Sequence, residues 1–140
     1  MDIAGFAAVG LYAGLNALVL IWITTATGRL RGKLKIFVGD GAHPHMIRIM
    51  RGHANAIETI PIALILMLLM AVYGAPLFVI HGFGIALTLG RILHAVHFIA
   101  ADAPGWQRVV GAVLSLLVVL IGGFGVLIHG IVLMLQPGLQ

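Results

Sequence analysis

Residues Arg51 to Pro61, RGHANAIETIP, decide how the rest of the chain is read. They open a long apolar run, yet they carry a cation, an imidazole, an amide and a carboxylate. At 100° per residue Arg51, Asn55 and Glu58 fall along one stripe of a helix, and Arg48 extends that stripe by one turn. Downstream, Ile60 to Val72 is apolar throughout, but at about 1.5 Å per residue it covers only about 20 Å of a hydrocarbon core roughly 30 Å thick. A spanning helix must therefore draw Glu58, and with it Asn55, below the membrane surface. An ionisable group at that depth costs about 2.5–3.5 kcal/mol on insertion scales, so it is expected to face protein or a polar cavity.

The composition places the stretch in a membrane protein. Of 140 residues 61% are hydrophobic and 9% charged, and the mean hydropathy is +1.16; a soluble domain carries about 25% charged residues. The first apolar segment is long and has no small-residue cleavage site after it, so it reads as a span rather than a signal peptide. With no cysteine there is no disulfide framework, no thiolate metal site and no protein thiol nucleophile. Any sulfur chemistry needs a thiol from the substrate. The net charge of +4 is concentrated around one connection, which is a topology signal and not a nucleic-acid surface.

Four apolar segments are predicted as helices over about 3–27, 45–73, 77–100 and 109–135, making residues 1–140 a single membrane domain with an all-α, four-transmembrane-helix bundle. In the first, Asn16 is the one strongly polar interior residue and is read as an interhelical hydrogen bond; Gly10 and Gly14 form a small-xxx-small pair suited to close helix contact. Arg29, Arg31, Lys33 and Lys35 follow as a basic loop, then GDG at 39–41 as turn chemistry and Pro44 in a first helical turn. Pro61 predicts a kink or a loosened turn just after Glu58. Lysine and arginine flank the first and third connections and are missing from the second and from the C-terminal tail. The basic loop is then cytoplasmic and both termini face away from the cytoplasm. Arg51, Arg91, His94 and Arg108 share the cytoplasmic level.

On the third segment Arg91, His94 and His97 or Phe98 recur at three- and four-residue steps, a second polar stripe able to meet the first within one chain or across a subunit boundary. Positive groups from both, with Arg29 and Arg31, would line an anion-accepting pocket around one acid, Glu58. The plainer alternative is an Arg51–Glu58 or Arg91–Glu58 ion pair with arginines snorkelling to headgroups. The convergence of Arg51, Asn55, Glu58 and Arg91 favours a binding site, since one ion pair needs fewer polar groups. His53 lies roughly 200° around the helix from Arg51 and belongs to another face. His81 and His129 read as structural. His94 and His97, without a second carboxylate, do not make a metal site. No Ser-His-Asp arrangement, Walker loop or dinucleotide fingerprint is present.

The string R-x-H-x-N-x-x-E-T-I-P at 51–61 resembles the signature of the MAPEG superfamily, the membrane-associated proteins of eicosanoid and glutathione metabolism. Arg29-Leu-Arg31-Gly-Lys33 is similar to the basic end of that family's first helix, and Arg91-Ile-Leu-His94 to its third-helix R-x-x-H. The VGDG loop and the NAIETIPIAL run are most similar to a small bacterial branch of inner-membrane proteins. The resemblance implies a homotrimer of four-helix subunits. Glutathione, as co-substrate, would be bound between subunits near the cytoplasmic face, with lipophilic small molecules arriving from the surrounding membrane lipids. It also implies that Arg29, Arg51, Asn55, Glu58, Arg91 and His94 bind glutathione, and that Arg108, with Arg91, stabilises the thiolate. Thr59 and Phe98 stand where several members carry tyrosine. The expected function is a membrane glutathione transferase or peroxidase acting on lipophilic electrophiles or hydroperoxides. The alternative, favoured by Phe98, is a non-catalytic trimeric module that binds a lipid or a partner helix in the same cleft.

Overall fold

The computed structural model describes residues 3–136, which form four helices in chain order. Helix α1 is Ile3–Leu34, α2 Pro44–Val72, α3 Leu77–Ile99 and α4 Gly105–Met134. Even the shortest, at 23 residues, reaches about 35 Å, enough to cross the hydrocarbon core. All four are long and apolar enough to span a membrane. Short connections force antiparallel neighbours, so the 35–43 and 100–104 connections share one end of the bundle. Helix α1 packs on α2 and α3, and α4 packs on α2 and α3 from the other side, with no contact between α1 and α4.

Helix α1 runs beyond the expected apolar segment and carries Arg29, Arg31 and Lys33 on its last two turns. The first three cations of the basic cluster are therefore helical, because arginine and lysine are good helix formers and cations suit a helix C-terminus, while Lys35 stands just past the helix with φ +56°. The chain then reverses through Gly39 and Gly41, both with φ near +60°. The Asp40 carboxylate accepts the Ala42 amide at 2.8 Å, and Arg31 donates to the Gly39 carbonyl at 2.8 Å. The second connection is tighter, with Gly74 at φ +77°. Helix α2 stays helical through Pro61; the proline lacks an N–H, so the Ile57 carbonyl loses its donor four residues on.

The main core gathers Tyr12, Ala63, Met67, Ile80, Leu87 and Val118 from all four helices, and a smaller cluster joins Val19 and Ile23 to Ala95. Two polar pins cross from α1 to α3. Asn16, fully buried, donates to Thr88 Oγ1 at 3.0 Å, the interhelical bond the sequence predicts. Tyr12 and His81 are hydrogen-bonded at 2.9 Å, which gives His81 a structural role. The small-residue contact lies elsewhere than Gly10 and Gly14, since a Cβ at either would meet nothing within 4 Å in the chain. The close crossing is between α3 and α4: a Cβ on Gly111 would sit 2.6 Å from the Gly90 carbonyl and 2.9 Å from the His94 amide. Backbone on both sides leaves no room for any side chain.

Candidate functional site

That glycine crossing positions the site. Because α3 and α4 approach to backbone contact, the Arg91 side chain, one residue past Gly90, can reach the α4 backbone. Arg91 Nε donates to Ser115 Oγ at 2.8 Å, and Nη2 reaches the Gly111 carbonyl at 3.4 Å. Ser115 in turn donates to the same carbonyl at 2.9 Å. From α2, Asn55 Oδ1 accepts from Arg91 Nη1 at 2.9 Å. The guanidinium is thus held by two neighbouring helices, and Arg91 is only 2% exposed.

All three acceptors are neutral. A guanidinium has five N–H groups; three are engaged, which leaves two for a guest. Arg91 lines a cleft of about 410 Å³ with Asn55, Glu58, Thr59 and Ser115 as its polar side, and Ile62, Val113, Leu116 and Val119 as its apolar side. Glu58, one turn after Asn55 on the same face of α2, is exposed to that cleft. It makes no hydrogen bond or ion pair among the described residues, so neither the Arg51–Glu58 nor the Arg91–Glu58 pair forms. One cleft therefore holds a buried cation and an acid, each without a counter-charge among the described residues. Only Arg91 is buried, and its hydrogen bonds to neutral acceptors offset part, not all, of the several kcal/mol that burying an unpaired charge costs.

The sequence profile of the MAPEG family matches residues 9–128, a span that contains every residue of this cleft. The chain belongs to the MAPEG family. It is also similar to the inner membrane protein YecN of Escherichia coli K12, at 41% identity over 88 residues, covering 63% of this chain and 67% of that protein. The protein of the same name from E. coli strain CFT073 matches with the same figures.

Within this MAPEG chain, Asn55, Glu58 and Arg91 are brought together, while four further residues singled out in the sequence stand outside the cleft. Arg51 is exposed one turn before Asn55 on the same stripe. His94 is buried one turn after Arg91 and packs on Phe98 at a ring separation of 4.6 Å. Arg108 is exposed in the first turn of α4. Arg29 lies in the last two turns of α1, the helix that makes no contact with α4, so it lies across the bundle from the α4 side of its own cleft. His53 pairs with Thr24 of α1 at 2.9 Å, on the face away from Asn55, and His129 stacks on Tyr73.

Two features escaped the sequence reading. Ser115 and Gly111 lie in the fourth apolar segment, where the available signal is a small-xxx-small spacing with a single hydroxyl in it. Arg48 and His97 were placed on separate stripes, but they form one unit. Arg48 donates to the His97 carbonyl from Nη2 at 2.7 Å and from Nε at 3.3 Å, and to His97 Nε2 at 3.0 Å. His97 Nδ1 bonds the Pro104 carbonyl at 3.2 Å. Both ring nitrogens are spoken for, and His97 is a structural link between α2, α3 and the last connection.

Proposed function

We propose that this chain is a membrane-bound, glutathione transferase-like protein that holds glutathione in the Asn55–Glu58–Arg91 cleft and brings it to lipophilic electrophiles or hydroperoxides. The observation that carries the proposal is the pair of uncompensated opposite charges, Arg91 and Glu58, lining one cleft. Glutathione has carboxylates for the two spare N–H groups of Arg91 and an ammonium for Glu58. A carboxylate at Arg91 would neutralise the buried cation, and Glu58 would discriminate for an amine. The cleft volume falls within the usual 300–1,000 Å³ of small-molecule sites. Its apolar side, Ile62, Val113, Leu116 and Val119, offers a surface to a lipophilic partner leaving the bilayer.

The chain has no thiol of its own, so the nucleophile belongs to the peptide. A free thiol near pKa 8.5 is mostly protonated at neutral pH, and a nearby cation favours the thiolate. Arg91 or Arg108 supplies that charge. The sulfur lone pair then forms a C–S bond as the electrophile's leaving group departs with its electrons. With a hydroperoxide, two glutathione thiols are oxidised to a disulfide while the peroxide is reduced to an alcohol and water. The assembly that suits this site is a homotrimer in a bacterial inner membrane. A neighbouring chain's α1 would carry Arg29 to a cleft that its own bundle cannot reach, with Arg51 on the rim.

A second reading rests on Phe98, which packs on His94 and has no hydroxyl to give to a thiol. In it the same cleft binds a lipid or a partner helix without turnover. Calorimetry on the purified full-length protein separates the two. The transferase reading expects glutathione binding at millimolar concentration or tighter, and thiolate absorbance near neutral pH in the complex. No binding at millimolar glutathione would count heavily against it. Binding without thiolate and without conjugation of a lipophilic electrophile would favour the module.

A further inference from the structure

Seven residues before Asn55 on the same face of α2, about 10 Å along the helix axis, a second basic group surrounds its own cavity. This space of about 490 Å³ is lined by His43, Pro44, His45, Arg48 and Ala101 and shares no lining residue with the Asn55–Arg91 cleft. We propose that His43, His45 and Arg48 form a binding site for a phosphate group, carried by a phospholipid headgroup or by a soluble phosphate ester.

Arg48 is not a loose side chain reaching for water: Nε and Nη2 are tied to His97 by three hydrogen bonds. Those bonds fix the plane of the guanidinium and leave both N–H groups of Nη1 unused among the described residues. Its partners are again neutral, so the cation has no counter-charge. His45 is oriented by its Nε2–H, which donates to the Ile99 carbonyl at 3.0 Å, and its ring forms one wall. His43 has Nδ1 shut off from solvent and without a partner. A buried N–H lacking an acceptor is the rarer state, so the proton belongs on Nε2, and Nε2–H is what His43 offers. Three N–H groups from two side chains suit an anion with several oxygens better than a single planar carboxylate.

No carboxylate lines the cavity. Asp40 and Asp102 are the nearby acids in sequence. Asp40 is turned onto the Ala42 amide, and Asp102 is exposed in the 100–104 connection with no ion pair among the described residues. A metal ion is disfavoured beside an arginine with no carboxylate to offset it. The cavity lies where α2 begins and α3 ends, at a mouth of the bundle, where a spanning helix would emerge among phosphate headgroups.

Two arms test the proposal on full-length protein. In detergent, calorimetry is run with inorganic phosphate at fixed ionic strength. After reconstitution in vesicles of phosphatidylglycerol and phosphatidylcholine, native mass spectrometry reads which lipid is retained. Arg48→Gln removes both charge-assisted donors of Nη1 and is expected to weaken phosphate or phosphatidylglycerol binding by at least the roughly tenfold that one such hydrogen bond is worth. His43→Ala should weaken it by a smaller factor, and Lys35→Gln, an exposed cation outside the cavity, should leave it unchanged. Arg48→Gln also breaks the link to His97, so His43→Ala, which removes none of the hydrogen bonds described above, is the decisive variant. It should leave glutathione affinity unchanged, which keeps this test separate from that of the cleft. Binding in the detergent arm alone supports a soluble phosphate ester, and retention of phosphatidylglycerol supports a headgroup. No binding in either arm, or equal losses in Lys35→Gln and His43→Ala, overturns the proposal.

Discussion

Ser115→Ala is the sharpest probe of how Arg91 is held. The substitution removes one oxygen from a position that is 1% exposed and leaves the helix otherwise undisturbed, since alanine is the best helix former. Two bonds are lost, the one accepted from Arg91 Nε at 2.8 Å and the one donated to the Gly111 carbonyl at 2.9 Å. The second matters little, because Arg91 Nη2 still faces that carbonyl and it also remains the acceptor of its own helix. The first is a bond to a charged donor, worth about 1.5–3 kcal/mol, and its loss strands a buried N–H. A destabilisation of about 2 kcal/mol is therefore expected, read as a shift in the denaturant midpoint of helix loss by circular dichroism in mixed micelles. Glutathione affinity should fall by about three- to tenfold, because the guanidinium loses one of its three anchors without losing its charge. Two results would refute the reasoning: a change under about 0.5 kcal/mol with unchanged affinity, or destabilisation equal to that of Ser115→Ala in a variant already lacking Arg91. The second would mean that serine and arginine act independently.

Three further outcomes follow from the same geometry. Glu58→Gln is isosteric and breaks no hydrogen bond among the described residues, so stability should hold while glutathione binding weakens by about 1.5–3 kcal/mol; a misassembled protein would instead make Glu58 structural. Gly111→Ala should destabilise by about 1–3 kcal/mol through overpacking against backbone, since its Cβ would lie 2.6 Å from the Gly90 carbonyl. Gly123→Ala, with nothing within 4 Å, should be neutral or stabilising in the same unfolding assay; equal effects would show that the α3–α4 crossing is not tight. Asn16→Ala should cost about 0.6–1.7 kcal/mol, the range for an interhelical hydrogen bond in a membrane; its other bond, to the Tyr12 carbonyl at 2.9 Å, lies within α1, and a loss in the unfolding midpoint no larger than that of Thr88→Val would confirm that the interhelical bond to Thr88 is the one that counts.

Four spanning helices were legible from hydropathy alone, because in a bilayer the backbone must satisfy itself and long apolar runs can only be helices. The stripe of Asn55 and Glu58 followed from helical period, and the polar interior role of Asn16 from its isolation. What periodicity cannot supply is the rotation and depth of one helix against another. Those decided that Arg91 turns to Ser115 and the Gly111 carbonyl rather than to Glu58, that Arg48 is tied to His97, and that Gly90 and Gly111, not Gly10 and Gly14, make the close contact within the chain. Which residues share a face of their own helix could be read along the chain, since that depends only on local geometry. Tertiary packing alone decided which of those charges are neutralised and which stay open to a guest, because a hydrogen bond depends on ångström-scale approach between segments far apart in the chain.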